Sequence, residues 1–207
     1  MRQAGPRLGR PFFARSSPEV ARELLGCWLV RRGPGGPVRL ELLEVEAYLG
    51  ESDPASHARR GPTPRNLPMY GPAGHAYVYF IYGMHHCLNV VTGPAGEAQA
   101  VLLRAGRRAS GDVVGGPALL CRALGVTLED NRVDLCSEGT HLWLEAGVAG
   151  PPVEAGPRIG VRDPAPLRYY LAGTVRVKRG AGTLARSHFS QVPKAPRPAD
   201  KPGRNTW

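Results

Sequence analysis

Residues 39–50 read R-L-E-L-L-E-V-E-A-Y-L-G. On an extended strand alternate side chains share a face. Glu44, Glu46 and Tyr48 then point one way, while Leu43, Val45 and Ala47 point the other. The apolar set suits a core, and the polar set puts two carboxylates and a phenol on one surface. On open solvent that is an ordinary amphipathic strand. In a concave site, one carboxylate activates a water as a general base. Alternation alone does not choose between Glu44 and Glu46.

The neighbouring segments extend the sheet. S-P-E-V-A-R-E-L-L-G (17–26) predicts a helix with Ser17 as cap, Pro18 in its first turn and Gly26 at its exit. C-W-L-V-R-R (27–32) predicts a strand, joined to the acidic strand by P-G-G at 34–36. Residues 51–76 are rich in Pro and Gly and fit no regular element, so they predict a long loop over a site. Y-V-Y-F-I-Y-G-M-H-H-C-L-N-V-V-T-G (77–93) predicts a hairpin turning at Gly83. Q-A-V-L-L-R-A (99–105) predicts a buried strand, and G-G-P-A-L-L-C-R-A-L-G-V (115–126) a helix from Pro117 to Gly125. Residues 159–177 predict a turn and a final strand. The class is α+β: a single domain with a curved, mainly antiparallel β-sheet, flanking helices and a protruding β-hairpin.

Composition narrows the function classes. The 207 residues carry 27 Lys and Arg against 17 Asp and Glu, a net charge of +10. Such a balance fits a polyanionic partner, nucleic acid before membrane, or solubility alone. The excess sits in residues 151–207, at +8, whereas residues 51–150 sum to −1. The sequence therefore divides into a domain over residues 1–180 and a basic, Pro-rich, flexible tail over residues 181–207. No run approaches 18 apolar residues, so no membrane helix is expected, and the N-terminus lacks the apolar stretch of a secretory signal. Cys27, Cys87, Cys121 and Cys136 are widely spaced and read as buried reduced thiols. His75, His85, His86 and Cys87 lack ligand spacing, and adjacent His85 and His86 face opposite ways on a strand. No metal is expected.

Aromatic residues point to the concave reading. The chain has 14 of them, and Tyr77, Tyr79, Phe80 and Tyr82 fall within six positions. Tyr77 and Tyr79 share a face. Tyr82 precedes Gly83 at the predicted tip, where a bulky ring suits a wedge pushed into a base stack. A cross-strand aromatic cluster packing the sheet is the alternative. Lysine is absent before Lys178. Covalent chemistry through a Schiff base needs an amine, so a water-using reaction is expected.

E-V-E-A-Y-L-G (44–50), S-H-A-R-R-G-P-T-P-R-N (56–66), the 77–90 hairpin, V-L-L-R-A (101–105) and G-P-A-L-L-C-R-A-L-G (116–125) resemble, in collinear order, the alkyladenine (3-methyladenine) DNA glycosylase family of the mammalian type. The resemblance begins at L-G-R-P-F-F (8–13) and runs to about Val177. It implies an enzyme that flips and hydrolytically excises alkylated or deaminated purines: 3-methyladenine, 7-methylguanine, hypoxanthine and ethenoadenine. By resemblance Glu46 is the general base and Arg104 helps hold its water. Tyr48 and Tyr79 sandwich the base, His57 flanks it, Asn89 screens out guanine, and Tyr82 is the intercalating wedge. Arg59, Arg60, Arg65, Arg107, Arg108 and Arg168 are candidate contacts to the DNA backbone. The implied partner is double-stranded DNA bearing a damaged purine, bound by a monomer without cofactor, in bacterial cytoplasm at the nucleoid. No residue stands out as the acid that protonates a neutral leaving purine. The link from the L-L-R-A strand to the next helix is short, and Leu119 stands where the family has a basic residue. A non-catalytic nucleic-acid-binding module on the same scaffold is the rival expectation. An acyl-transfer enzyme lacks a nucleophile-elbow motif.

Overall fold

Local sequence rules account for the helices. A computed structural model describes residues 5–147 and 152–174. Its first helices are α1 (Arg10–Phe13) and α2 (Ser17–Leu24). The cap of α2 is Ser16, not Ser17: Ser16 and Glu19 form a reciprocal capping box. Ser17 sits inside the first turn, where its hydroxyl donates to the Tyr48 carbonyl at 3.0 Å. The helix is thereby tied to the end of the acidic strand.

The strands follow as β1 (Trp28–Gly33), β2 (Gly36–Tyr48), β3 (Ala76–Ile81), β4 (His85–Thr92), β5 (Gln99–Arg107) and β6 (Val113–Gly115). Helix α3 (Pro117–Leu124) starts on Pro117 and ends on a left-handed Gly125. Then come β7 (Leu142–Glu145), β8 (Val153–Gly156) and β9 (Arg168–Leu171). Sequence patterning did not reveal α1, β6, β7 or β8, which are three or four residues long, too short for periodicity to register. The basic tail expected over residues 181–207 lies outside the described residues.

The main path of the sheet runs β3-β4-β5-β2-β1-β7, with β6 added beside β5, β9 beside β2 and β8 beside β9. All pairings among the described residues are antiparallel. The sheet curls, few helices accompany it, and the class is α+β. Strand β2 is central: β5 runs along it, β1 pairs its first half, and β9 pairs Glu44, Val45 and Glu46.

The β2–β5 ladder is irregular at the point that matters. Leu42 pairs with Gly106 and Glu44 with Ala105, which leaves Leu43 without a counterpart; Val45 then pairs with Leu103, which leaves Arg104 without one. Bulges re-aim side chains. The sequence signal is the adjacent Leu42 and Leu43, which both join the core with Leu40, Val45 and Ala47. The acidic residues past the bulge keep the opposite face.

Helices α2 and α3 cover the apolar face through Val20, Ala21, Leu24, Leu120, Cys121 and Leu124. Cys27, Cys87 and Cys121 are buried free thiols, whereas Cys136 is only half-buried. The polar face of β2 is left for the loops to enclose. Gly50 begins that enclosure. It has φ of +85°, and a β-carbon there would lie 2.1 Å from the Glu97 carbonyl oxygen.

Gly50→Ala is expected to lose about 2–4 kcal/mol of stability, from left-handed strain plus overpacking. Urea denaturation measures this, and a change within about 0.5 kcal/mol, the range of a neutral surface substitution, would refute the account.

Candidate active site

The loop before the hairpin, expected to hold no regular element, closes its backbone in tight turns and two short 3-10 helices, Gly50–Ser52 and Leu67–Tyr70, and side chains tie these turns together. Asp53 accepts from the Leu49 and Ala55 amides. Buried Asn66 donates to the carbonyls of His57 and Gly61 and accepts from the Thr63 amide. These bonds fix His57 beside the hairpin. Its Nδ1 lies 2.9 Å from the Tyr77 hydroxyl, and its ring meets Tyr79 edge-on at 4.6 Å. Burial and the nearby Arg65 both lower the His57 pKa, which keeps the ring neutral near pH 7.

A cavity of about 300 Å³ opens between β2, this loop, the β3–β4 hairpin and the segment around Ile159. Glu46, Tyr48, His57, Tyr79, Tyr82, Asn89 and Arg104 all line it, so seven residues singled out from sequence meet at one place. Tyr77, Met69, Cys87 and Leu102 complete much of the wall. Asn89 is buried and donates through Nδ2 to the Tyr77 carbonyl at 3.0 Å.

Glu46 is 0% exposed. Its Oε1 accepts from the Ile159 amide at 2.7 Å and lies 3.2 Å from Arg104 Nη1; its Oε2 accepts from the Tyr48 hydroxyl at 3.0 Å. Burial raises its pKa, and Arg104, the Ile159 amide and the Tyr48 hydroxyl pull against that without cancelling it. A carboxylate of raised pKa is a stronger base than one in water. Burial also pushes the Tyr48 phenol upward, so that hydroxyl stays a donor.

Tyr82 contrasts with Tyr48, Tyr77 and Tyr79, the other tyrosines of the cavity wall. It is 86% exposed at the hairpin tip and adopts φ of +52°. The tip comprises Tyr82, Gly83 and Met84, closed by the Ile81–His85 pair. A bulky residue in left-handed conformation with no packing around it is uncommon.

The six candidate backbone-contacting arginines separate by environment. Arg59, Arg60 and Arg65 are exposed on the loop, and Arg65 also lies over the Tyr79 ring at 5.3 Å. Arg107 is half-buried in an ion pair with Glu41 at 2.9 Å. Arg108 is half-buried beside a separate shallow cavity that Arg122 also lines. Arg168 corrects the sequence reading: it is 4% exposed, lies 3.3 Å from Glu44 and donates to the Pro157 carbonyl. A strand pattern cannot distinguish such an enclosed guanidinium from a surface one.

Arg158 went unnoticed in the sequence. It is buried, reaches both Asp53 oxygens and Asp163, donates to the Ala47 carbonyl, and stacks over Tyr48 at 4.7 Å. It joins the loop, the acidic strand and the Ile159 segment. Its partners lie 105 residues or more away, apart from Asp163, and no local spacing announces them. Among the described residues, no three His, Cys, Asp or Glu side chains gather as a metal site. Among them too, no helix is long and apolar enough to cross a membrane.

The family model described as methylpurine-DNA glycosylase matches residues 11–175. A Streptomyces avermitilis protein, provisionally named a 3-methyladenine DNA glycosylase, is 51% identical over 172 residues, covering 74% of this chain and 81% of that protein. Similarly named proteins from Methanocella arvoryzae and Myxococcus xanthus are each 46% identical. They cover 75% and 84% of this chain, and 85% and 94% of their own lengths.

Arg158→Met is expected to destabilise the fold by about 3–5 kcal/mol, because it strands buried Asp53. Burial alone would raise the Asp53 pKa, but Arg158 and the Ala55 and Leu49 amides outweigh it and lower it. The pair therefore stabilises above the ordinary carboxylate pKa, and that stability is lost as pH falls through the folded-state value. Urea titrations across the acid range should show a shallower loss in the variant than in the parent. Parallel curves would contradict the assignment.

Proposed function

The chain belongs to the methylpurine-DNA glycosylase family, and from that premise we propose that it is a monofunctional enzyme. In this reading it flips a damaged purine out of duplex DNA, hydrolyses the N-glycosidic bond and leaves an abasic site. The observation that carries the proposal is Glu46: a fully buried carboxylate of raised pKa, in a cavity walled by Tyr48 and Tyr79, beside an exposed aromatic tip.

A base inside the stack is out of reach, and extrusion costs a few kcal/mol, less when the base is damaged or mispaired. Tyr82 supplies the wedge that fills the gap. Tyr48 and Tyr79 then stack on the extruded purine. A cationic methylated purine gains about 0.5–2 kcal/mol from their π-faces. His57 borders the base, and Asn89 disfavours guanine through its exocyclic amino group.

Glu46 takes a proton from water as the water oxygen bonds to C1′. The C1′–N bond breaks, and its electron pair leaves with the purine. A cationic purine departs neutral, so 3-methyladenine and 7-methylguanine need no acid. Hypoxanthine and ethenoadenine, the other substrates proposed, need a proton to leave. Arg104 steadies Glu46 and the water, and the carboxylate also stabilises the oxocarbenium-like transition state. Lysine is absent through residue 177, which supports hydrolysis without lyase activity. Exposed Arg59, Arg60 and Arg65, with Arg108, suit phosphate contacts. The reading extends to a monomer acting in the bacterial cytoplasm at the nucleoid, to which the +8 charge of residues 151–207 would hold it.

The test is release of free base from methylated DNA and from duplexes holding one hypoxanthine or ethenoadenine. Glu46→Gln should keep damaged-DNA binding while release falls at least about 100-fold. Tyr82→Ala should weaken capture of the lesion by about tenfold or more. With the parent enzyme, activity should fall as acid protonates Glu46, at a pH above the ordinary carboxylate range. Binding without release by the parent would favour a non-catalytic module, and a borohydride-trapped adduct would refute the monofunctional reading.

A further inference from the structure

Glu46 is not the only carboxylate behind the cavity. Glu44 is 4% exposed, and a single oxygen, Oε1, meets two guanidiniums: Arg104 Nε at 3.0 Å and Arg168 Nη1 at 3.3 Å. Arg104 in turn reaches Glu46 with Nη1. The four side chains form one buried row, Arg168–Glu44–Arg104–Glu46, drawn from three strands. The backbone supports it: Arg104 stands at the position of β5 left unpaired with β2, and Arg168 on β9 pairs with Glu46 on β2.

We propose that Glu44 is a positioning residue, which fixes the Arg104 guanidinium against Glu46 and, together with Arg168, holds the buried row at zero formal charge. This deepens the glycosylase reading and rests on it. The geometry requires an anchor. Arg104 turns one edge to each carboxylate, so the Nε contact with Glu44 sets where Nη1 falls on Glu46. Charge supplies the second reason. Two arginines facing Glu46 alone would hold its proton affinity down and weaken it as a base. A second carboxylate offsets one of them.

The other groups facing Glu46 act in ways that leave this balance in place. On its own strand Tyr48 donates to it, with Arg158 stacked behind that ring. Across the cavity the Ile159 amide donates. His57, Tyr77, Tyr79 and Cys87 line the far wall, with Arg65 outside Tyr79. Glu44 is a smaller influence on Glu46 than Arg104, and of opposite sign.

The test is the single-turnover rate of base release from a duplex holding one 7-methylguanine, followed down the acid limb of its pH profile. Glu44→Gln should bind the damaged duplex within about twofold of the parent, yet lower the plateau rate by about 10–100-fold through misplacement of Arg104. Its acid limb should move to lower pH, because one anion is gone from the row. Arg168→Gln should move the limb to higher pH. The double variant should bring the limb back near the parent position. If Glu44→Gln does not fold, the double variant against Arg168→Gln isolates the same charge. A lowered plateau with every limb superimposed on the parent would reduce Glu44 to packing and overturn the proposal, as would an unchanged plateau. A parent enzyme that releases no base would instead refute the glycosylase reading, and the proposal with it. An active parent with unmoved limbs refutes the proposal alone.

Discussion

The buried ion row across β2, β5 and β9 is the constraint on which the rest of the structure depends. Glu44 and Glu46 leave water together, and a carboxylate in a protein interior is costly unless it is paired and hydrogen-bonded. Arg104 and Arg168 meet that need with contacts of 3.0–3.3 Å. Two irregularities in the β2–β5 ladder allow it: Leu43 keeps the apolar phase facing the helices, and Arg104 turns toward the acids. Alternation alone parts the acids from Val45 and Ala47; the bulge lets the adjacent Leu42 and Leu43 both reach the core ahead of them.

Around that row the site is assembled from parts with little regular structure. The Pro-rich loop is held by Asp53 and Asn66, and the Ile159 segment is held by Arg158. These contacts make a rigid wall from chain that has no ladder of its own, the arrangement in which loops carry function on a fixed scaffold. The hairpin tip is the exception. Tyr82 is exposed, left-handed and unpacked, beside a cavity whose other aromatic residues are at least half-buried.

Much of this was legible in the sequence, for identifiable reasons. Alternation in β2 gave the shared face of Glu44, Glu46 and Tyr48, because a pleated strand has a period of two. Proline and glycine gave the limits of α3. The Tyr82-Gly83 pair gave the hairpin tip. Other features were misread or illegible. The α2 cap falls on Ser16, and Glu19 three residues on is the capping-box signal that separates it from the adjacent Ser17. The basic character of Arg168 suggested a phosphate contact, whereas tertiary packing enclosed it against Glu44.

By itself the amino-acid sequence determined the strand periodicities, the turn positions, the absence of lysine through residue 177 and the set of polar and aromatic residues available to a site. These follow from local sterics and composition. Only the tertiary structure decided which of the arginines are enclosed beside carboxylates and which face solvent. It also decided that Arg158 ties the loop to the acidic strand, and that Glu46 is enclosed away from bulk solvent while still lining the cavity. Those outcomes depend on desolvation and on partners such as Arg104 with Glu44, 60 residues apart, and Arg168 with Glu44, 124 apart, and no local pattern encodes either.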